Sequence, residues 1–326
     1  MVISILSLSL ALAAQLSVPA EGEASLAERE DQYYRMVTIP IPNEIKLEVS
    51  GVACLSNEEV AVVNRRGELW RITVPAGESA ALSFRLVASG LHEPLGLVWR
   101  DDSFYVAQRS ELTRVRDRDQ DGTADEYRTI AKGWGVSGNY HEYAYGPKFD
   151  GAGNAWITLN STLGKRLVND QAWRGWSIKV APDGSWSPVS GGMRSPSGIG
   201  VNQFGDAFYT DQQGNWIPTC SLSHMTPGAF HGHADSLKTM AWPLPEFKVR
   251  EGFPQNLLLP EAVERIPGFK LPAVWFPYRK MGMSSTDVVL DDTQGRFGPF
   301  TNQLFVGEFT LSTISRVFLE KVEGEY

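Results

Sequence analysis

From about residue 45 onward the chain alternates short apolar runs with polar turns, and the side-chain period within each run is two. The stretch "GVACLSNEEVAVVNRRGELWRITV" begins at Gly51, "GLVWRDDSFYVAQRSELTRVRD" at Gly96, "YGPKFDGAGNAWITLN" at Tyr145 and "GIGVNQFGDAFYTDQQGN" at Gly198. A fifth, "TDVVLDDTQGRFGPFTNQLFVGEFTLSTISRVFLE", begins at Thr286. Each reads as an apolar strand, a Gly/Asp/Asn turn and an alternating aromatic strand. The first four recur about every 50 residues, which is the spacing of β-propeller blades. A unit of this kind cannot bury both faces alone, so the units must stack around an axis. The expectation is an all-β, six-bladed β-propeller over residues 33–326. It is expected to be truncated, because about five blades are present and the chain stops directly after a strand. Residues 33–40 ("YYRMVTIP") closing a smaller ring is the alternative. The wider gap before Thr286 predicts a long insertion after the fourth blade, at about residues 212–284. Its one helical piece is "PEAVERIPGF" at 260–269. Long excursions from a rigid scaffold tend to carry function, so a lid over the channel is expected.

Composition sharpens the picture in three places. Glycine (31), proline (19) and tryptophan (10) suit short strands and tight turns. A net charge of -8 with no basic run or stripe argues against a nucleic-acid partner. Residues 1–14, MVISILSLSLALAA, read as an export signal ending in small residues, with 15–32 as a linker. The mature chain is therefore expected in the periplasm or outside the cell, with no transmembrane segment. Cys54 and Cys220 could pair in such a compartment, and the sequence leaves that open.

Three groups of residues carry candidate chemistry. In "DRDQDGTADE", Asp117, Asp119 and Asp121 alternate ahead of Gly122, and Asp125 and Glu126 follow. Alternate carboxylates on a sharply turning loop suit a hard cation, and calcium as a staple between strands is the expectation. The spacing opens like an EF-hand loop but has Arg128 at the twelfth position. "FHGHADSL" sets His231 and His233 two apart, with His224 and Asp235 near; hydrogen-bonded loop histidines and a shared metal are both open. In "GNYHEYAYGP", His141 precedes an aromatic strand and could serve as a base. Its neighbour Glu142 would face away on an extended backbone. Arg194 and Asp211 flank the strand of "MRSPSGIGVNQFGDAFYTD", and Glu308 and Arg316 end the fifth unit. Such residues suit an anionic or hydroxylated ligand, or an ion pair between blades.

The phrases "PSGIGVNQFGDAFYTD", "PKFDGAGNAWIT" and "NQLFVGEFTLSTISRV" resemble the glucose/sorbosone dehydrogenase propellers. "GWGVSGNYHEYAYGP", "DQQGNWIPTC" and "VWFPYRKMGMSSTD" are similar to a membrane-bound dehydrogenase subgroup, often fused to cytochrome c. The resemblance runs from about Val37 to the C-terminus. It implies a six-bladed quinoprotein that holds pyrroloquinoline quinone with calcium and oxidises a sugar or alcohol. A histidine would take the hydroxyl proton, and electrons would leave to a cytochrome c-type acceptor. Arg194 fits the family's Arg-x-Pro-x-Gly turn and Arg316 the arginine after "LFVG", so Arg194, Arg316 and Asp211 become the cofactor-binding candidates. His141 becomes the candidate base, although alignment on Gly146-Pro147 puts the family's base near Gly138. The competing expectation is a non-catalytic propeller that binds glycans or a partner protein. A calcium-dependent lactonase would need a metal on the axis.

Overall fold

The predicted alternation becomes strands whose side chains sort to two faces. The computed structural model describes residues 25–34, 37–74, 82–164, 171–249 and 252–326. The expected export signal lies outside them. Residues through Ile45 form one unit and Lys46–Tyr326 another. In the first, helix α1 (Leu26–Glu30) opens on a reciprocal cap. Ser25 Oγ accepts from the Glu28 amide at 3.2 Å, and the Glu28 carboxylate accepts from the Ser25 amide at 2.6 Å. The described part of residues 33–40 carries no strand.

The second unit is built of five antiparallel meanders. Blade 1 runs β1 (Val49–Cys54), β2 (Glu59–Asn64), β3 (Leu69–Thr73) and β4 (Ser83–Ala88). Blade 2 runs β5 (Leu97–Arg100), β6 (Ser103–Ala107), β7 (Glu111–Arg116) and β8 (Glu126–Lys132). Blade 3 runs β9 (Ala144–Phe149), β10 (Ala155–Leu159), β11 (Trp176–Val180) and β12 (Trp186–Gly191). Blade 4 runs β13 (Gly198–Val201), β14 (Ala207–Asp211), β15 (Cys220–His224) and β16 (Val274–Phe276). Blade 5 has three strands, β17 (Ser285–Leu290), β18 (Leu304–Glu308) and β19 (Thr313–Val317). The fold is an all-β propeller of five blades among the described residues.

The first strands of successive blades lie side by side. The recurring glycines sit where they meet. A Cβ on Gly96 would stand 2.1 Å from the Gly146 carbonyl, and the φ of Gly96 is +147°. Only glycine lets the backbones approach this closely. Between blades the joints are apolar. Val63, Leu69, Val106 and Val115 fill the joint of blades 1 and 2; Phe208, Leu222, Val288 and Val306 fill that of blades 4 and 5. Each large buried side chain is worth about 1.5–3 kcal/mol, more than the ~1 kcal/mol of a typical hydrogen bond, so these joints hold the ring.

The excursion is not where the sequence suggested. It leaves after β15 and returns at β16, so it lies inside blade 4, and the 212–284 span includes two of that blade's strands. "CSLSH" hides as a strand because it is short and carries only two apolar residues, and its burial, complete at all five positions, does not follow its alternation. The excursion holds a 3-10 turn (Ala234–Thr239) and helix α2 (Leu259–Arg265). Phe230, Phe247, Ala262, Ile266 and Phe269 enter the blade 3 core. The turn is stitched to that blade as well: Trp176 Nε1 donates to the Ser236 carbonyl at 2.8 Å, and the Gly192 amide donates to Ser236 Oγ at 2.8 Å. It is a packed flank.

Two apolar faces stay bare. Val49 and Val52 are exposed on blade 1, and Val289, Ile314 and Phe318 on blade 5. Val288 packs on Gly200 of blade 4, so its neighbour Val289 faces the other way.

Candidate functional site

Antiparallel pairing sets the start of each first strand beside the end of each second strand: Ala144 faces Leu159, Gly198 faces Thr210, and Ser285 faces Glu308. The lead-in loops and the loops after the second strands therefore gather at one end of the blades. A polar residue closes every second strand there, as Asn64, Gln108, Asn160, Asp211 and Glu308, and all five are buried. Four of them fasten the lead-in loop of their own blade. Asn64 Nδ2 donates to the Lys46 carbonyl at 3.1 Å, and Gln108 Oε1 accepts from the His92 amide. Asp211 accepts from the amides of Arg194 (2.9 Å) and Ser195 (2.8 Å). Glu308 accepts from those of Met283 (3.0 Å) and Ser284 (2.8 Å). Blade 3 differs. Asn160 Nδ2 reaches Ser195 Oγ of the next blade at 3.3 Å, and its Oδ1 is buried without a partner.

The blade 3 lead-in loop is the one carrying His141, and other groups hold it. The Glu142 carboxylate is fully buried. It accepts from Ser137 Oγ at 2.9 Å and Thr162 Oγ1 at 2.6 Å, so it ties the loop down and does not orient His141. Arg174 is also fully buried and donates to four carbonyl oxygens: Gly135 (2.7 Å), Glu142 (2.8 Å), Tyr143 (2.7 Å) and Arg109 (2.8 Å). Burial pulls its pKa down to about 9, which leaves it cationic at neutral pH. Arg109 adds bonds to the carbonyls of Asn139 and Glu142, and pairs with Glu93 at 2.9 Å. Sequence reasoning passed over Arg109 and Arg174, because nothing in "AQRSE" or "AWRGW" marks a buried arginine.

His141 is half-buried, with its ring 3.9 Å from that of Tyr140. Its ring nitrogens have no hydrogen-bond partner among the described residues. Burial, and then the charge of Arg194, lower its pKa. The Arg194 guanidinium has no ion pair or hydrogen bond among the described residues. His141 and Arg194, predicted from separate motifs, thus share one neighbourhood. Asp211 serves this site indirectly: its oxygens are taken by three backbone amides, the third from Gln212 at 2.8 Å. Burial raises its pKa to about 6 against the pull of those amides. Through these bonds it fixes the backbone of the loop that carries Arg194.

Arg316 does not join them. It lies opposite Phe305 on β19, away from the Glu308 end, with its guanidinium 5.0 Å from the ring centre of Phe300. The sequence placed it by motif alone, and strand direction carries it to the other end. The acidic loop also lies apart, on the hairpin between β7 and β8. Asp117, Asp119 and Asp121 bring carboxylate oxygens within 4.8 Å of one another. Asp117 Oδ1 is buried without a partner. The other two acids do not join that trio: Asp125 accepts from the Arg118 amide at 2.9 Å, and Glu126 pairs with Arg114 at 2.5 Å. Cys54 and Cys220 are both free, one exposed and one buried. Among the described residues no helix is long and apolar enough to cross a membrane.

A small cleft of about 40 Å³ opens beside Arg194, between blade 4 and its excursion, and Asp211, Trp216, His231, His233 and Lys270 line part of it.

Comparison places this geometry among known folds. A family model described as a domain of unknown function, DUF7133, matches residues 80–249. No curated protein matches the sequence. Solved structures do match. A glucose dehydrogenase shares 17% identity at a TM-score of 0.58, covering 86% of this chain and 84% of that one. The PQQ-bound aldose sugar dehydrogenase from Streptomyces coelicolor shares 15% at 0.55, covering 84% and 78%. The holo PQQ domain of pyranose dehydrogenase from Coprinopsis cinerea shares 13% at 0.58, covering 82% and 72%. At these identities the likeness is one of fold, and it agrees with the sequence resemblance to sugar dehydrogenase propellers.

Proposed function

The chain belongs to the DUF7133 family of domains of unknown function, and from that premise we propose that it is a quinoprotein-type dehydrogenase of a sugar or alcohol. The observation that carries the reading is the meeting of a bare imidazole, His141, with a bare guanidinium, Arg194, at the loop end of a propeller whose structural relatives include PQQ-holding sugar dehydrogenases. These residues fit part of what pyrroloquinoline quinone requires. Arg194 presents an uncommitted cation to a carboxylate, whereas Arg65 and Arg109 at the same end are engaged with Glu93. Bound there, the quinone would supply the two-electron acceptor.

His141 is the base in this reading. Its lowered pKa keeps the ring neutral near pH 7, so a bare ring nitrogen can accept the substrate hydroxyl proton. The charge of Arg194 then opposes holding that proton, which favours handing it on to water. Asp211 and Arg174 fix the two loops that present the pair. The Asp117 loop is read as a calcium staple on the blade 2 hairpin, with Asp117, Asp119 and Asp121 as the carboxylates and the orphaned Asp117 Oδ1 as its support. The bare faces of blades 1 and 5 support a ring of six blades. Export and a cytochrome c-type acceptor complete the proposal.

The test is calorimetric titration of pyrroloquinoline quinone with calcium, followed by turnover on a panel of sugars and alcohols. Saturable one-to-one uptake is expected, with His141→Ala keeping uptake and losing about 100-fold or more in kcat. Full turnover in His141→Ala would remove the histidine from the mechanism. The absence of uptake would favour a glycan- or protein-binding propeller.

A further inference from the structure

We infer that the cleft beside Arg194 is a subsite for the hydroxyls of a second sugar ring, so the ligand of this site is an oligosaccharide rather than a monosaccharide. The inference builds on the sugar-oxidising reading above, and its test is kept separable from it.

The carrying observation is the state of two histidines. His231 is 7% exposed and lines the cleft, and neither of its ring nitrogens has a hydrogen-bond partner. His233 lines the same cleft, and its Nε2 is also buried and bare. The carboxylate of Asp235 stands 4.0 Å from that nitrogen, beyond hydrogen-bond reach, and pairs with Lys238 at 2.8 Å. Buried polar atoms without partners are rare, and three of them on two residues that line one cleft point to something that fills it.

Chemistry narrows the occupant. Burial holds His231 down to about 3 and His233 down to about 4, so both rings are neutral at working pH. A neutral imidazole has one N–H to give and one lone pair to satisfy. An anion can only accept, and a metal ion can only take the lone pair. Among the described residues these histidines join no group of three metal-ligating side chains. A hydroxyl both donates and accepts, so hydroxyls complement the pair. Of the charges around them, Lys270 is engaged with Glu325 at 2.7 Å and Asp211 with its three amides, which leaves the Arg194 guanidinium to donate to a hydroxyl as well. The cleft is small, about 40 Å³, which suits a hydroxyl-bearing edge of a sugar. The half-buried Trp216 in its lining offers an aromatic surface to the ring outside.

Arg194 gives the cleft its place in the larger site. It lines the cleft, and its charge acts on both His141 and His233. On this inference a sugar oxidised beside His141 reaches His231 through a further ring. The packed 3-10 turn, pinned through Ser236 to Gly192 and Trp176, holds this part of the excursion in place.

The experiment is a binding screen on the protein without quinone, using di- and trisaccharides of α- and β-linked glucose, mannose, galactose and uronic acid, with each free monosaccharide as control. At least one oligosaccharide is expected to bind about tenfold or more tighter than its monosaccharide. His231→Ala should erase that advantage and leave monosaccharide affinity unchanged. His231→Gln, which keeps a donor and an acceptor, should restore part of it, and His233→Ala, at the second ring, should also reduce it. Melting curves check that each variant is folded. Equal affinity for mono- and oligosaccharides, no oligosaccharide binding at all, or an advantage untouched by a folded His231 or His233 variant would overturn the inference and leave ordered water as the occupant. The dehydrogenase reading is judged by quinone uptake alone. Oligosaccharide binding without quinone uptake would therefore sink that reading and keep the subsite.

Discussion

Arg174 decides more of the site than any residue that sequence motifs single out. It is one guanidinium shared among four carbonyls from two separate loops, and two of those carbonyls lie within two residues of His141. Replacing it with methionine would leave four buried acceptors without a donor. A loss of about 3–4 kcal/mol is expected in urea unfolding, since removing one side of a buried charged group costs this much. Arg174→Lys should recover only part of it, because an ammonium cannot span the same fork. If the loop is what presents His141, kcat in the lysine variant falls while quinone affinity holds. What was legible at this scale came from turn chemistry: "RSPSG" marked Arg194 and "NYHEY" marked His141. Arg109 and Arg174 were illegible because their partners are backbone atoms from distant loops, and a sequence does not display a carbonyl that folding will bring near.

Among elements, the same contrast holds between blades and excursion. The inner strands were legible because glycine recurs where backbones crowd and because their faces alternate. Strand β15 is short and carries only two apolar residues, and β16 is only three residues long, so the fourth blade lost half its strands to the supposed insertion. The β7–β8 hairpin makes a prediction of its own. Its three clustered aspartates repel one another at neutral pH unless a cation sits among them. Calcium is therefore expected to raise the melting temperature, with chelation or Asp117→Asn removing the gain. Thermal melts with and without chelator check this, and an identical response in the Asp117→Asn variant would place the calcium elsewhere.

Across the whole molecule, the buried histidines govern the response to acid. His224 and His233 are held down to about 4 and His231 to about 3, chiefly by burial. An unfolded histidine titrates near 6.5, so folding is favoured above that pH and loses ground as the pH falls below it. At pH 5 each imidazole accounts for about 2 kcal/mol of lost stability. Asp211, raised to about 6, works in the opposite sense and offsets roughly one of them. Urea midpoints should therefore drop between pH 6.5 and 5. A His231→Gln variant should show a shallower slope, and an equal slope would mean that the drop has another origin.

The buried polar residue that ends each second strand bears on how such a ring can change over time. In four blades it fastens a loop of its own sheet, so the tie and what it ties are inherited together. A blade can be duplicated, exchanged or rewritten without its neighbour needing a matching change at that rim. Blade 3 is the exception: Asn160 ties into blade 4, and the loop bearing His141 relies on side chains 65 positions apart in sequence, Arg109 and Arg174. Transplanting blade 3 alone should fail where transplanting blades 2 to 4 together succeeds, which makes those three the smallest unit in which this chemistry can travel between proteins.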